Sequence, residues 1–235
     1  MTDLTFTIDS KEAPDRFVSV TITGVYNFGF AGRDQASVQA HVSELKARGV
    51  PAPAIVPALY PLGAGGATTE TRISVFGDQT FGEVEFALIN SSAGWLVTVA
   101  SDHTDALVET VSVSRAKRSC PDVLADRAWL LADVVDHFDE LELVAECAST
   151  GTLTTAEVQR GYCGALLPPA TLQEIWTQRL GRTPPVGTLI LSGTIGGELP
   201  LGMETWHMRL HDPARPADLL LAYQVDSVPD EIAVG

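Results

Sequence analysis

Residues 80–102 have the sequence TFGEVEFALINSSAGWLVTVASD, in which two apolar stretches flank a cluster of small and polar residues. The stretches Thr80 to Ile89 and Trp95 to Ala100 contain many β-branched and aromatic residues, which favour strands. Between them, Asn90 to Gly94 has the composition of a turn. The segment therefore predicts a β-hairpin, which carries the key residues of the sequence.

Three acidic residues converge on this predicted hairpin. Side chains alternate along a strand, so Glu83 and Glu85 project from one face while Val84 points to the other. Folding the hairpin brings Asp102 close to the level of residues 82 and 83, and the register decides its face. Three close carboxylates favour a cation, and hard oxygen ligands prefer Mg²⁺, Mn²⁺ or Ca²⁺. Spacing alone, however, favours a solvated acidic face in so acidic a protein.

Composition and charge narrow the class of protein. The chain has 235 residues, 45% hydrophobic and 19% charged, so residues 1–235 are expected to form a single domain of a soluble protein. The formal charge of −15 would repel phosphate backbones and anionic lipid, which excludes nucleic acid and membranes as expected partners. The three cysteines have no zinc-like or paired spacing, and the N-terminus does not resemble a signal peptide. A cytoplasmic location is therefore expected.

The remaining sequence predicts more strands than helices. Strands are expected over residues 4–9, 17–26, 141–148, 187–194 and 206–210. Helices are expected from Asp34 to Gly49 and Pro51, and over residues 105–119, 122–137 and 171–180. This order of elements predicts a β-rich α+β fold with peripheral helices, in which a curled sheet or roll replaces alternating βαβ units.

Five short motifs follow one another along most of the chain. They are His41-Val42-Ser43-Glu44-Leu45, Glu83-Val84-Glu85, Asp102-His103-Thr104, Ala116-Lys117 with Cys120-Pro121, and Gly193-Thr194. Each motif is common by chance, but their order and spacing together resemble the fumarylacetoacetate hydrolase superfamily. Gly32-Arg33-Asp34 and Ser101-Asp102-His103-Thr104-Asp105 extend the likeness to a poorly characterised bacterial branch of it.

The resemblance implies a mixed β-sandwich roll, like that of fumarylacetoacetate hydrolase, that forms one catalytic domain. It implies that Glu83, Glu85 and Asp102 hold Mg²⁺ or Mn²⁺, with Ca²⁺ as an alternative. It also implies that His41 and Glu44 form a catalytic dyad. Three residues apart on a helix, the carboxylate can orient the imidazole to abstract a proton from water. A polar helix flank is the alternative for this pair.

Three further residues are candidates for contact with the substrate. The resemblance implies that Lys117 holds a substrate carboxylate or an oxyanion, and that Thr194 donates a hydrogen bond to a substrate oxygen. Arg33 is predicted independently of the resemblance, because an anionic substrate needs a counter-charge near an acidic site. The alternatives are a solvated lysine, an ordinary strand-end turn and a surface arginine.

The predicted activity is metal-dependent hydrolysis of a C–C bond in a 2-oxo or 1,3-dicarbonyl acid of the acylpyruvate kind. The same scaffold also suits a 2-oxo acid decarboxylase, a hydratase, an isomerase or a C–N hydrolase, and a non-catalytic small-molecule binder is a further alternative. A small anionic oxo acid and a second copy of the chain, in a homodimer, are the partners that the resemblance implies.

The sequence departs from the family pattern at two places. Asp105-Ala106-Leu107 stands where many members have Arg-Asp. The proline-rich loop 57–61 lacks the lysine often found in that segment. Both departures bear on the substrate more than on the metal.

Overall fold

The computed structural model describes residues 1–9, 15–47, 52–149 and 154–229, without the side chains of His41, Leu45 and Lys46. The strands are β1 Thr2–Ile8, β2 Arg16–Ile22, β3 Gly24–Gly29, β4 Ala58–Gly63, β5 Ala67–Thr68, β6 Arg72–Phe76, β7 Thr80–Phe81, β8 Val84–Ser91, β9 Gly94–Asp102, β10 Thr104–Asp105, β11 Asp122–Leu124, β12 Arg127–Leu130, β13 Glu142–Ala148, β14 Ala156–Tyr162, β15 Thr188–Leu191, β16 Thr205–His211 and β17 Leu219–Val228. The α-helices are α1 Gln35–Ala47, α2 Ala106–Glu109, α3 Val113–Ser119 and α4 Pro169–Leu180. Short 3₁₀ turns cover Leu131–Asp133, Val135–Glu140 and Cys163–Ala165.

The described strands form a large curled sheet, a smaller sheet and a two-stranded ribbon of β7 and β10. The large sheet has the order β2-β1-β12-β9-β8-β15-β3-β4, with β11 beside β9 and β5 beside β11. The smaller sheet has the order β14-β13-β16-β17-β6. Most neighbouring strands among the described residues are antiparallel. The parallel pairs are β1 with β12, β11 with β5, β15 with β3 and β17 with β6. This architecture confirms the predicted β-rich α+β class with a curled sheet.

The central hairpin of β8 and β9 separates two apolar cores. Phe86 and Leu88 pack in the core that includes Trp206 of the smaller sheet. Ala87 and Ile89 point the opposite way, into the core that contains the apolar side chains of β1 and β2. Because side chains alternate along a strand, Glu85 shares the face of the second core. The acidic side chains therefore lie where this apolar core ends.

The predicted hairpin and its register are confirmed. Val84 lies opposite Ser101, and the backbone N–H of Asp102 donates to the carbonyl oxygen of Glu83 at 3.0 Å. The predicted first strand of the hairpin is interrupted between β7 and β8, so Glu83 immediately precedes the regular strand. The register thus places Asp102 directly across from Glu83.

The predicted helix over residues 122–137 is wrong. This segment forms β11, β12 and 3₁₀ turns. Both strands pair with β9, through Asp122 opposite Asp102 and Trp129 opposite Val97, and Trp129 is fully buried. Pairing with a central strand outweighs the local helical periodicity here.

The other predicted helices form with changed limits. The helix expected over 105–119 is divided into α2 and α3, since Thr110, Val111 and Ser112 between them are poor helix formers. The helix over 171–180 is confirmed as α4, which ends at Gly181 with φ of 67°.

The helix after Asp34 is α1, and the Asp34 carboxylate accepts from the N–H of Ala36 and of Ser37. Its predicted stop at Gly49 and Pro51 lies outside the described residues. None of the helices in the described ranges combines the length and the apolar character that spanning a bilayer requires.

Candidate active site

Glu83, Glu85 and Asp102 lie together on one face of the central hairpin. Each offers a carboxylate oxygen, and these oxygens all lie within 4.8 Å of one another. Glu85 and Asp102 are fully buried, and Glu83 is 9% exposed. We call these three residues the acidic cluster. Three hard oxygen donors at this spacing are suited to a divalent ion.

Lys117 on α3 supplies the acidic cluster with a counter-charge. Its Nζ donates to Glu83 Oε2 at 3.0 Å and to Asp102 Oδ2. Burial by itself lowers the pKa of Lys117, but Asp102, Glu83 and Glu85 together raise it well above its usual value. The ammonium group therefore stays charged, and one of its three N–H bonds is left for a ligand.

One lysine does not neutralise three buried carboxylates. Burial raises the pKa of Glu83 to about 7, against the opposing effect of Lys117, and Asp102 adds to the rise. Burial and then the charge of Asp102 raise the pKa of Glu85 well above its usual value. With all three acids ionised, the cluster and Lys117 together carry two negative charges. The donor atoms and this charge both fit a divalent ion such as Mg²⁺ or Mn²⁺.

Asn27 and Gly193 hold the acidic cluster in position. Asn27 Nδ2 donates to both oxygens of Glu85 at 3.2 Å and to Asp102 Oδ2 at 2.9 Å. The backbone N–H of Gly193 donates to Glu85 Oε2 at 2.8 Å. A carboxylate has about four lone-pair directions, so these bonds leave oxygens available to an ion. Asn27 was not among the predicted site residues, although a polar residue within the apolar strand β3 was a signal for it.

Gln159 fixes the loop that follows β15. Its Nε2 donates to Thr194 Oγ1 at 2.8 Å, and its Oε1 accepts from the N–H of Val84 at 2.9 Å. Thr194 Oγ1 donates to the carbonyl oxygen of Val84 at 2.9 Å. The hydroxyl proton of Thr194 is therefore used within the protein. The predicted donation to a substrate oxygen would require that bond to break, whereas a lone pair on Thr194 remains available.

A cavity of about 440 Å³ lies beside the acidic cluster, a size suited to a small molecule. Four of the predicted site residues, Glu83, Glu85, Lys117 and Thr194, line it. The other lining residues are Gly29, Phe30, Ala31, Tyr60, Ala106, Glu109, Thr110, Val113 and Gly193. The site thus combines a buried acidic cluster, one cation and an accessible space.

Of the other predicted site residues, Asp102 is fully buried within the acidic cluster, and Arg33 and Glu44 do not line the cavity. Arg33 pairs with Asp139 through two N–H groups at 2.5 and 2.7 Å and donates from Nε to the carbonyl oxygen of Leu166. Glu44 lies exposed on α1, and the side chain of His41 lies outside the described residues. Substrate binding by Arg33 stays a prediction that its position does not favour, and the dyad stays a prediction.

The loop geometry gives a prediction for Gly193. Its φ is 80°, and an added Cβ would lie 2.3 Å from the carbonyl oxygen of Phe28. Replacing Gly193 by alanine should lower the free energy of unfolding by about 3 kcal/mol, through backbone strain and overpacking, as denaturant titration would measure. The matched control is Gly77→Ala, since Gly77 also has positive φ, 66°, but open space around its Cβ position. Equal losses in the two variants would contradict the steric part of the explanation.

Comparison with known sequences identifies the family of this chain. The profile of the DUF2848 family, described as "Protein of unknown function (DUF2848)", matches residues 28–223. No curated protein sequence matched the chain.

Solved structures with the same fold include three that align over most of their length. The structure of Cg1458 has a TM-score of 0.64 at 14% identity, covering 94% of this chain and 88% of that one. The apo form of 2-keto-3-deoxy-D-arabinonate dehydratase has a TM-score of 0.62 at 14% identity, covering 93% and 78%. Its complex with magnesium and 2,5-dioxopentanoate has a TM-score of 0.58 at 14% identity, covering 95% and 79%. At this identity the likeness shows a shared fold.

Proposed function

Since this chain belongs to the DUF2848 family, and since a buried acidic cluster with one lysine borders a small cavity, we propose that it is a metal-dependent enzyme of the fumarylacetoacetate hydrolase superfamily acting on a small 2-oxo acid. The observation that carries the proposal is the acidic cluster itself. Three buried carboxylates persist at this spacing only where a cation or protons offset their repulsion. The solved dehydratase with this fold, which was obtained with magnesium and a small oxo acid, supports the same function.

Glu83, Glu85 and Asp102 would hold the ion, Mg²⁺ or Mn²⁺. When bound there, it would supply a Lewis acid that polarises the 2-oxo group of the substrate and stabilises developing negative charge. Asn27 and the N–H of Gly193 keep the carboxylates in their positions. Preorganised ligands need no rearrangement when an ion arrives.

Lys117 would hold the substrate carboxylate or a developing oxyanion. Two of its N–H bonds go to Glu83 and Asp102, and Lys117 also lines the cavity. The remaining N–H is a charged donor in a buried place, where its interaction with an anion is strong. The carboxylates that would hold the ion also keep Lys117 protonated, because they raise its pKa.

The leading reaction is hydrolysis of a C–C bond in an acylpyruvate-like acid, with His41 as the base that activates water and Glu44 as its orienting carboxylate. The support for this dyad is the spacing of the two residues on α1 and the resemblance of their motif. The second candidate is a lyase reaction, dehydration of a 2-oxo acid. The dehydratase that shares the fold favours it.

A substrate panel tests the proposal. Acylpyruvates, fumarylpyruvate, oxaloacetate and a 2-keto-3-deoxy sugar acid would each be incubated with the Mg²⁺- or Mn²⁺-loaded protein, with and without EDTA, and the products identified by mass spectrometry. At least one acid should be turned over, and EDTA should abolish turnover reversibly. Replacing His41 by alanine should lower kcat by about 10²–10⁴-fold if it is the base.

The matched control is His207→Ala, because His207 is exposed on β16 and does not line the cavity. Wild-type protein and His41→Ala that are equally inactive on the whole panel would instead support a non-catalytic binder. Turnover that is insensitive to EDTA would contradict the metal-dependent function.

A further inference from the structure

The polar groups on the cavity wall are mostly hydrogen-bond acceptors. Thr110 Oγ1 donates to the carbonyl oxygen of Leu107 at 2.7 Å, and Thr194 Oγ1 donates to that of Val84. The N–H of Gly193 donates to Glu85. Each of these donors is already used within the protein, so both threonines offer a ligand only lone pairs. Away from Lys117, a ligand that complements this wall must therefore bring donors.

Glu109 adds a carboxylate to the same wall. It is the last residue of α2, whose start is fixed by Asp105 accepting from the N–H groups of Leu107 and Val108. Within the described part of the chain, the half-buried carboxylate of Glu109 has no hydrogen-bond or ion-pair partner. Burial raises the pKa of Glu109, Lys117 lowers it and Asp102 raises it again. A partly buried carboxylate without a partner gains most from a donor supplied by the ligand.

The charge around the cavity disfavours a second anionic group on the ligand. Among the described residues that line it, Lys117 is the only cation. Glu109 and the acidic cluster together have four carboxylates, which carry four negative charges when ionised. Lys117 and a divalent ion balance all but one of these charges. A substrate with one carboxylate adds one more negative charge, and a dicarboxylate would place another close to Glu109. Like charges in a partly buried place repel strongly.

We propose that Glu109 selects 2-oxo acids whose far end carries a hydroxyl group and rejects those with a second carboxylate there. This inference rests on the proposed function, because that function places the shared 2-oxo acid end at the ion and Lys117. The far end then meets Glu109, Thr110 and Tyr60, all of which line the cavity. The Tyr60 hydroxyl is close enough to Glu109 and Lys117 that both influence its pKa, which burial raises.

Three five-carbon acids test the inference by calorimetric titration into Mn²⁺-loaded protein. They are 5-hydroxy-2-oxopentanoate, 2-oxopentanoate and 2-oxoglutarate, which differ only at the far carbon. The wild-type protein should bind the hydroxy acid about tenfold more tightly than 2-oxoglutarate, with 2-oxopentanoate between them. Glu109→Gln removes the charge and supplies an amide donor, so it should tighten 2-oxoglutarate binding about tenfold and remove the preference.

Glu140→Gln is the matched control, since Glu140 is exposed and does not line the cavity. The inference is overturned if 2-oxoglutarate binds to wild type at least as tightly as the hydroxy acid. It is also overturned if Glu109→Gln leaves the order of affinities as Glu140→Gln does. Metal-dependent binding of all three acids without discrimination would overturn this inference alone. Failure of every acid to show metal-dependent binding would overturn the proposed function as well.

Discussion

Asp102→Asn should weaken binding of Mn²⁺ by at least about 100-fold, since loss even of a residue that only supports a metal ligand commonly costs 10–100-fold. Asp102 is fully buried, lies across the hairpin from Glu83 and contributes to the cluster of three carboxylates. The amide keeps the shape of the side chain but removes a charge and one anionic oxygen. Metal bound per chain, measured by elemental analysis after gel filtration, should fall from about one to near zero.

The control for this change is Asp126→Asn, because Asp126 is exposed between β11 and β12. It should retain metal as wild type does. Thermal unfolding with and without Mn²⁺ gives an independent readout, because an ion that binds only the folded state raises Tm by an amount that grows with the logarithm of its affinity. Unchanged metal content in Asp102→Asn would contradict the assignment of this residue as a ligand.

Lys117→Met should destabilise the metal-free protein by about 3–5 kcal/mol, the usual cost of removing one partner from a buried ion pair. For a chain of this size such a loss corresponds to a fall in Tm of roughly 10 °C. The physical reason is that Glu83 and Asp102 would keep their burial and mutual repulsion but lose the ammonium group that contacts both. Proton uptake by the raised-pKa carboxylates would offset part of the loss.

Divalent metal should restore much of the stability lost in Lys117→Met, because an ion neutralises the same carboxylates. Activity should not return with it, since the donor to the substrate is gone, and turnover should fall by at least about 100-fold. Arg115→Met on the same helix is the control, because Arg115 is exposed. A similar Tm for the two variants without metal would contradict the role given to Lys117.

The acidic cluster could be predicted from the sequence because local structure determines where its three residues lie. Period-two alternation puts Glu83 and Glu85 on one face, and a short turn fixes the register that brings Asp102 across from them. These rules need no knowledge of distant residues. The hairpin and the convergence of the three acids follow from about twenty consecutive residues.

The residues around the acidic cluster could not be predicted in this way. Asn27 precedes Asp102 by 75 positions, and the strand order of the large sheet brings these two residues together. Gln159 follows Val84 by 75 positions and lies on β14 of the smaller sheet, so their contact depends on how the two sheets pack. Nothing in the sequence except its charge marked Glu109 as a candidate site residue. The helix wrongly predicted over residues 122–137 has the same cause, since its conformation is determined by pairing with β9 rather than by its own periodicity.

A crystal soaked with Mn²⁺ and oxalate, with anomalous diffraction recorded at the manganese edge, would show whether the acidic cluster holds a metal ion. We expect one strong anomalous peak in contact with carboxylate oxygens of Glu83, Glu85 and Asp102, at the roughly 2.0–2.3 Å expected for a hard divalent ion. Oxalate should complete the coordination from the cavity side. The absence of an anomalous peak among the three carboxylates at saturating Mn²⁺ would contradict the assignment of the acidic cluster as a metal site.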